Sequence, residues 1–123
     1  MSVSILRQGS YLIAVIQSAL SDADLLQLQN DLTETVGESN INGVIVDVSA
    51  LDVMDSFSTR TLRSIAHMIR LRGAETVIVG VRPEIAFSMV QLGLTLEGVI
   101  TALDLDEGLA LLDRKIGKRN ENG

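Results

Sequence analysis

Two continuous apolar runs constrain the fold of this chain more than any other feature. Residues 43–48 and 75–81 each centre on consecutive Val and Ile side chains, which is typical of a strand buried on both faces. Each run is followed by a segment whose apolar residues recur at helical spacing. Buried strands with helices between them predict an α/β domain with a mainly parallel sheet.

Turn signals add two strands at the start of the chain and one near its end. Residues 3–8 and 11–17 flank Gly9-Ser10, a two-residue turn signal, so we predict a β-hairpin whose second strand is central. Residues 98–102 are predicted to form a short final strand. The predicted order is β-β-α-β-α-β-α-β-α, a mixed, mostly parallel β-sheet with four to five helices.

Capping signals set the bounds of the predicted helices. Ser21 is a favourable N-cap, and Asp24, three residues later, completes an acidic variant of the capping box. Gly37 predicts the end of this first helix. The other predicted helices begin near Ser56, at Pro83 and after the cap residue Asp104.

Composition restricts the classes of partner. The 123 residues carry a net charge of −6 and only 2% aromatic residues, which argues against nucleic-acid binding because a basic surface and stacking platforms are both missing. The sequence has no cysteine, no signal-peptide pattern and no apolar run of membrane-spanning length. We expect a cytoplasmic protein that binds no membrane, with a single domain at 1–117 and a polar, disordered tail at 118–123.

Three aspartates follow the first buried run: Asp47, Asp52 and Asp55. They could indicate a metal site or an aspartyl-phosphate site, as in a receiver domain. A receiver also needs early acidic residues and a late lysine, but this chain has Gln17 and Arg82 at two of those positions. We expect Asp52 and Asp55 to shape the loop and cap the next helix instead. The expectation is no enzyme, no metal and no cofactor, with carboxylate catalysis as the alternative ranked last.

The second predicted helix carries His67 and a group of basic residues. His67 is the only histidine, so a catalytic triad or a histidine-based metal site would lack its partners. We expect it to have a packing or surface role. The basic residues are Arg60, Arg63, Arg70 and Arg72. We interpret them as a solvated helix face, with docking of a partner as the alternative.

Ser56 begins the second predicted helix directly after Asp55. A hydroxyl at a helix N-terminus lies where backbone N–H groups and the helix dipole favour negative charge. It could cap the helix, which contributes about 1 kcal/mol, or carry a phosphate, which adds roughly −1.5 to −2 charges. The helix dipole would favour the phosphate and the nearby aspartates would oppose it, so we expect a signal that releases a docked partner.

Five short motifs are spread over the chain. They are Asn42-Gly43-Val44-Ile45-Val46-Asp47, Asp55-Ser56-Phe57, Gly80-x-x-Pro83, Leu92-Gly93-Leu94 and Thr101-Ala102-Leu103-Asp104-Leu105-x-x-Gly108-Leu109. Together they resemble the STAS domain of anti-sigma-factor antagonists, and the resemblance covers about residues 3–116. Within that family the chain is most similar to the single-domain stressosome scaffolds of the RsbS type.

The resemblance implies a STAS fold and a non-enzymatic regulatory scaffold. Such a scaffold sequesters an RsbT-like serine kinase, releases it when phosphorylated, and so controls the general stress response. The implied partners are RsbR-like STAS proteins that co-assemble into a large complex, a phosphatase acting on the phosphoserine, and further copies of the chain. By position the phosphoacceptor is Ser56, with Ser58 as second choice. We expect Asp52, Asp55 and Thr59 to support the phosphosite loop.

One departure from the wider family concerns the residues after Ser56. Simple antagonists of the SpoIIAA type carry a small residue and a glycine there, whereas this chain has Phe57, Ser58 and Thr59. The difference favours the scaffold type, and the alternatives are a direct anti-sigma-factor antagonist or a STAS regulatory subunit of a transporter. We interpret Phe57 as a core residue, with a contact role as the alternative.

Overall fold

A computed structural model describes residues 3–122, with side chains described for residues 3–117. The elements in chain order are β1 (Val3–Gln8), β2 (Tyr11–Ile16), α1 (Asp22–Glu38), β3 (Gly43–Asp47), α2 (Ser56–Leu71), β4 (Glu75–Val79), α3 (Pro83–Gln91), β5 (Ile100–Ala102) and α4 (Leu105–Asn122). The described residues thus form five strands and four helices, and the predicted order is confirmed.

The five strands form one mixed sheet in the order β1-β2-β3-β4-β5. β1 is antiparallel to β2, and the strands from β2 to β5 run parallel. In the centre, Ile45 of β3 lies between Ile13 of β2 and Val77 of β4. The carboxyl ends of the four parallel strands therefore share one edge of the sheet, and each helix begins after a loop from that edge.

Side-chain alternation along the strands divides the core into two layers. Val44 and Val46 of β3 face α1, α2 and α3, whereas Ile45 between them faces α4. Gly108 lets α4 approach this second face closely, because a Cβ there would lie 2.8 Å from a methyl group of Val79. Both faces of the central strands are covered, as the continuous apolar runs predict.

The predicted caps at the starts of α1 and α4 are confirmed, as is the predicted start of α3. The backbone N–H of Asp24 donates to Ser21 Oγ at 3.1 Å, and the N–H of Ser21 donates to Asp24 Oδ2 at 3.3 Å. Asp104 Oδ1 accepts the N–H of Glu107 at 2.9 Å. Pro83 is the first residue of α3. These bonds satisfy N–H groups that lack a partner within their own helix.

One predicted helix end is wrong. α1 continues to Glu38, so Gly37 lies inside the helix instead of stopping it. Gly37 does not adopt a positive φ, and the helix ends at the cap residue Ser39, whose backbone N–H donates to the carbonyl of Thr35 at 3.0 Å. A glycine that keeps a helical backbone does not terminate a helix, because the glycine stop depends on the left-handed conformation.

The predicted boundary at residue 117 stays a prediction. The backbone of α4 is described to Asn122, whereas the side chains of residues 118–122 and all of residue 123 lie outside the described part of the chain. Among the helices that the structure describes, none combines the length and apolarity that crossing a bilayer requires.

Candidate functional site

The loop between β3 and α2 leaves the carboxyl-end edge of the sheet and is anchored at several points. The N–H of Val48 donates to the carbonyl of Val79 at 3.0 Å, and the N–H of Leu51 donates to the carbonyl of Val48 at 3.0 Å. Leu51 and Met54 are buried in the core, at 7% and 5% exposure. The loop therefore has a defined course, and Val53 between these anchors is 75% exposed.

Arg82 fastens the outer side of the same loop. Its Nε donates to the carbonyl of Ser49 at 3.1 Å, and its Nη1 donates to Asp52 Oδ1 at 2.7 Å. Gly80 makes room for this contact: it has a φ of +81°, and a Cβ there would lie 2.7 Å from the Ser49 Cβ. Arg82 was missed as a site residue, although an arginine between Gly80 and Pro83 was the available signal.

The cap of α2 is Asp55, so the prediction that Ser56 could be the N-cap is wrong. Asp55 Oδ1 accepts the N–H of Ser58 at 2.8 Å, and its carbonyl accepts the N–H of Thr59 at 3.0 Å. The backbone N–H and then the side chain of Ser58 lower the pKa of Asp55 below its ordinary value. The prediction that Asp55 caps this helix is confirmed, and Ser56 takes the first helical position.

Three hydroxyl groups in the first turn of α2 have different surroundings. Ser56 is half-buried, and its hydroxyl makes no hydrogen bond to another described residue. Ser58 is half-buried and lines a cleft of about 150 Å³ together with Asp55 and Leu20. Thr59 is 1% exposed and donates its hydroxyl to the Asp55 carbonyl at 2.9 Å. Only Ser56 has both partial exposure and a hydroxyl that the fold leaves unused.

The surface around Ser56 combines apolar, basic and acidic groups, since Asp52 and Asp55 are also exposed there. Val53 is exposed, and Phe57 is half-buried and belongs to neither core cluster, so the prediction of a core role for Phe57 is wrong. Arg60 is exposed and lies four residues after Ser56, a spacing that places both on one helix face. An apolar contact area beside a hydroxyl and a cation suits a protein partner.

The three aspartates of this region do not converge on a common centre. Asp47 Oδ1 accepts the N–H of Ser49 at 2.9 Å, Asp52 pairs with Arg82, and Asp55 caps α2. Over the residues that the structure describes, no three histidine, aspartate or glutamate side chains group as metal ligands. Each carboxylate therefore has a local structural partner, as expected for loop-shaping residues.

The arginines of α2 are only partly a solvated face, which corrects that interpretation. Arg63 Nη1 donates to the carbonyl of Thr95 at 3.0 Å, and Arg70 Nη2 donates to the carbonyl of Gly98 at 3.2 Å. Both hold the segment between α3 and β5 against α2. Arg60 remains exposed, and His67 is exposed as predicted.

Comparison with known proteins gives these geometric features a family context. The family model described as STAS domain matches residues 2–107. RsbT co-antagonist protein RsbRA of Bacillus subtilis (strain 168) is 31% identical over 101 residues, covering 72% of this chain and 37% of RsbRA. RsbRC of the same organism is 32% identical over 85 residues, covering 69% of this chain and 30% of RsbRC. The chain spans about a third of the length of these curated relatives.

Solved structures match more of the chain. A Ser-to-Glu variant of RsbS from Moorella thermoacetica is 32% identical with a TM-score of 0.81, covering 94% of this chain and 98% of that protein. A chain from a structure of the molecular architecture of the stressosome is 30% identical with a TM-score of 0.73, covering 92% and 98%. Unphosphorylated SpoIIAA, at 13% identity and a TM-score of 0.67, covers 94% and 98% and shows the fold alone.

Proposed function

Because the chain belongs to the STAS-domain family, we propose that it is a non-enzymatic scaffold of the stressosome in the cytoplasm. It sequesters an RsbT-like serine kinase and releases that kinase when Ser56 is phosphorylated, which controls the general stress response. The observation that carries the proposal is the hydroxyl of Ser56, which lies at the first position of α2 and makes no hydrogen bond to another described residue. The similarity to RsbS and to RsbT co-antagonists supports the assembly role.

The surroundings of the three hydroxyls support Ser56 over its neighbours. A kinase must reach the hydroxyl oxygen and turn it toward a nucleotide, and Thr59 is too deeply buried for this in the folded chain. Ser58 lines the cleft, and both its backbone N–H and its side chain interact with the carboxylate of Asp55. Ser56 can be modified without breaking any described side-chain hydrogen bond.

Charge explains why the phosphate acts on a partner instead of refolding the chain. At the first position of a helix a phosphate meets free N–H groups and the positive end of the dipole, which stabilises it. Arg60, one turn later on the same face, adds a cation. The fold therefore tolerates the group, while a kinase docked over Val53 and Phe57 meets new bulk and charge.

The proposed partners follow from the same assignment. Residues 1–117 act as one STAS domain that associates with other copies and with RsbR-like STAS proteins, and a phosphatase removes the phosphate to reset the complex. The similarity to a stressosome chain over 92% of this sequence supports co-assembly. The family resemblance and the geometry of Ser56 support the kinase and the phosphatase as proposed partners.

The test combines phosphopeptide mass spectrometry with kinase retention. The chain is isolated from its source cells before and after stress, and its complexes with the RsbT-type kinase of those cells are captured through a tag on the chain. We expect one stress-dependent phosphate on Ser56. Ser56→Ala should keep the kinase bound after stress, whereas the matched control Ser58→Ala should release it like the unmodified chain.

Three outcomes would count against the proposal. Phosphate on Ser58, with release lost in Ser58→Ala, would move the switch to the cleft. Release from Ser56→Ala after stress would separate kinase control from this serine. Tight one-to-one binding of an anti-sigma factor, with no RsbR-type protein captured, would replace the scaffold with a direct antagonist.

A further inference from the structure

The two edges of the sheet differ in how they are protected. β5 has only three residues, whereas β1 has six and, among the described residues, pairs on one side only. β1 contains no proline or lysine and no bulge, since all six residues pair with β2 in unbroken register. A long, regular edge strand whose only charged residue is Arg7 offers a row of backbone groups for pairing with another strand.

β1 also exposes apolar side chains on both faces of the sheet. Ile5 is 39% exposed and lies on the α1 face, opposite Ala14. Leu6 is 61% exposed and lies on the α4 face, opposite Ile13. α4 packs across β3, β4 and β5, and over the described residues it does not extend to β1. Pairing at this edge would cover apolar surface on both faces.

A groove of about 160 Å³ runs between β1 and α1 and has a mixed character. Its floor is apolar, with Val3, Ile5 and Leu28, and its rim carries Asp24 and Asp31. An acidic rim above an apolar floor suits an incoming strand that carries an apolar residue and a cation on the same face.

β1 itself is such a strand. Its only charged residue is Arg7, which is on the same face as Val3 and Ile5 because side chains alternate along a strand. The chain as a whole carries a net charge of −6, so two copies repel unless cations meet acids at the contact. Its Nε donates to the carbonyl of Gly9 at 3.0 Å, which leaves the Nη groups of the guanidinium to meet the acidic rim of the same groove.

We infer that β1 is the contact surface for a second copy of this chain, with the two β1 strands antiparallel about a two-fold axis at Ile5. This register keeps α1 of both copies on one side of a continuous sheet and places Arg7 of the second copy opposite Val3. Val3 pairs with Ile16, the last residue of β2, and α1 begins shortly after β2. The first turn of α1, with Asp24, therefore lies at the end of the groove that this arginine reaches.

The symmetry of the arrangement favours a second copy of this chain, instead of a strand from an unrelated protein, as the binding partner. A two-fold axis makes the contact isologous, so each copy supplies Arg7 to the other and receives it at Asp24. The surface provides the self-association of the scaffold role, on which this inference rests. Leu20 lines both this groove and the cleft that holds Ser58, so the contact borders the start of α2, and separate variants distinguish the two sites.

Sedimentation equilibrium of the full chain without a kinase tests the contact. The unmodified chain should form a dimer. Ile5→Lys should raise the dimer dissociation constant at least ~10-fold, because two lysines would face each other across the axis. The matched control Leu103→Lys changes a 79% exposed leucine beyond the opposite edge and should leave the constant unchanged. Circular dichroism verifies that each variant is folded.

A second pair of variants isolates the ion pair. Arg7→Glu places a carboxylate beside Asp24 of the other copy and should weaken the dimer, with less effect at high salt. Arg114→Glu on α4 changes the net charge equally, at an exposed position away from β1, and should have no effect. An equal loss in both variants would mean that net charge alone, and not this contact, governs association.

Cysteine cross-linking keeps the inference testable if Ile5→Lys does not fold. The chain has no native cysteine, so Ile5→Cys introduces a single thiol. Directly opposite residues of an antiparallel pair have Cα atoms about 4.5–5.5 Å apart, within disulfide range. Oxidation should give a covalent dimer of Ile5→Cys and little of the Leu103→Cys control.

Several outcomes would overturn the inferred contact. They are a monomeric unmodified chain over the whole concentration range, equal cross-linking of the two cysteine variants, or a strand contact that forms only with an RsbR-type protein. None of these results bears on kinase release through Ser56, which is measured separately. A dimer that forms while Ser56→Ala still releases kinase would instead contradict the proposed function alone.

Discussion

The N-termini of α1 and α2 both follow a strand and a loop, yet they use serine differently. At α1 the hydroxyl of Ser21 accepts the N–H of Asp24, whose carboxylate returns a bond to the Ser21 N–H. At α2 the cap is the carboxylate of Asp55, and Ser56 follows it in the first helical position. The hydroxyl of Ser21 therefore caps its helix, whereas the hydroxyl of Ser56 makes no capping bond.

The difference shows how a serine at the start of a helix can be available for modification while the helix remains capped. Moving the capping role one residue earlier, to Asp55, satisfies the backbone N–H of Ser58 and leaves the hydroxyl of Ser56 available. Arg82 holds the preceding loop from outside through Ser49 and Asp52. A modification at Ser56 then changes the surface while the loop and the cap keep their bonds.

We expect the largest effect on the free energy of unfolding when a glutamate is placed at one of two positions in the first turn of α2. Thr59→Glu would bury a carboxylate without a partner and should destabilise the chain by about 3 kcal/mol or more. Ser56→Glu lies at the helix N-terminus, where the dipole favours it, and should change the free energy of unfolding by less than about 1 kcal/mol. Urea unfolding followed by circular dichroism measures both.

Thr59→Val controls for the loss of the hydroxyl alone, because valine keeps the shape and removes only the bond to Asp55. It should cost about 1 kcal/mol. Equal unfolding free energies for Thr59→Glu and Ser56→Glu would show that Thr59 is accessible and would make it a candidate phosphosite.

The caps themselves should show similar effects despite their different chemistry. Ser21→Ala and Asp55→Ala each remove a bond to a first-turn N–H and should each destabilise the chain by about 1 kcal/mol. Asp55→Asn should retain most of the stability because asparagine also caps well. Ser64→Ala, at an exposed position within α2, is the control and should not destabilise the chain. A neutral Asp55→Ala would mean that another residue caps α2.

The pH dependence should distinguish the two caps, since a carboxylate titrates and a hydroxyl does not. The Ser58 hydrogen bonds lower the pKa of Asp55 in the folded chain. The resulting stabilisation is present above the unfolded aspartate pKa of about 3.9 and is lost as pH falls through the lower folded value. The effect is small because Asp55 is exposed and screened by solvent.

A carboxyl-carbon NMR titration of Asp55 measures this shift directly. Its pKa should lie below the ordinary aspartate value of about 3.9. Asp55→Asn should also reduce the loss of stability between about pH 4 and pH 2. An Asp55 pKa at or above the ordinary value would contradict the capping bond to Ser58.

Local signals explain how much of this fold and site the sequence predicts. The strands around Ile45 and Val77 follow from uninterrupted apolar residues, and the capping box at Ser21 follows from residues three apart. Each signal lies within a few residues of the structure that it specifies. The same holds for Asp55, whose place before Ser56 predicts a cap.

The predictions that failed or were missed have both local and distant causes. Gly37 has the sequence signal of a helix stop, yet it keeps a helical backbone and α1 continues to Glu38. Arg63 lies on α2, but the acceptor of its side-chain hydrogen bond is the carbonyl of Thr95, 32 residues away in the sequence. Arg82 likewise acts across 33 residues on Ser49. No local pattern encodes such acceptors, since backbone carbonyls are common to every residue.

The smallest expected effect on stability belongs to Ser56→Ala. Its hydroxyl makes no hydrogen bond to another described residue and does not cap the helix, so the free energy of unfolding should change by less than about 0.5 kcal/mol. Under the proposed function the same variant should abolish kinase release. Chemical unfolding beside Ser21→Ala, together with the retention assay, compares the two serines directly. A loss as large as that of Ser21→Ala would make Ser56 a structural residue and remove the distinction between the two helix starts.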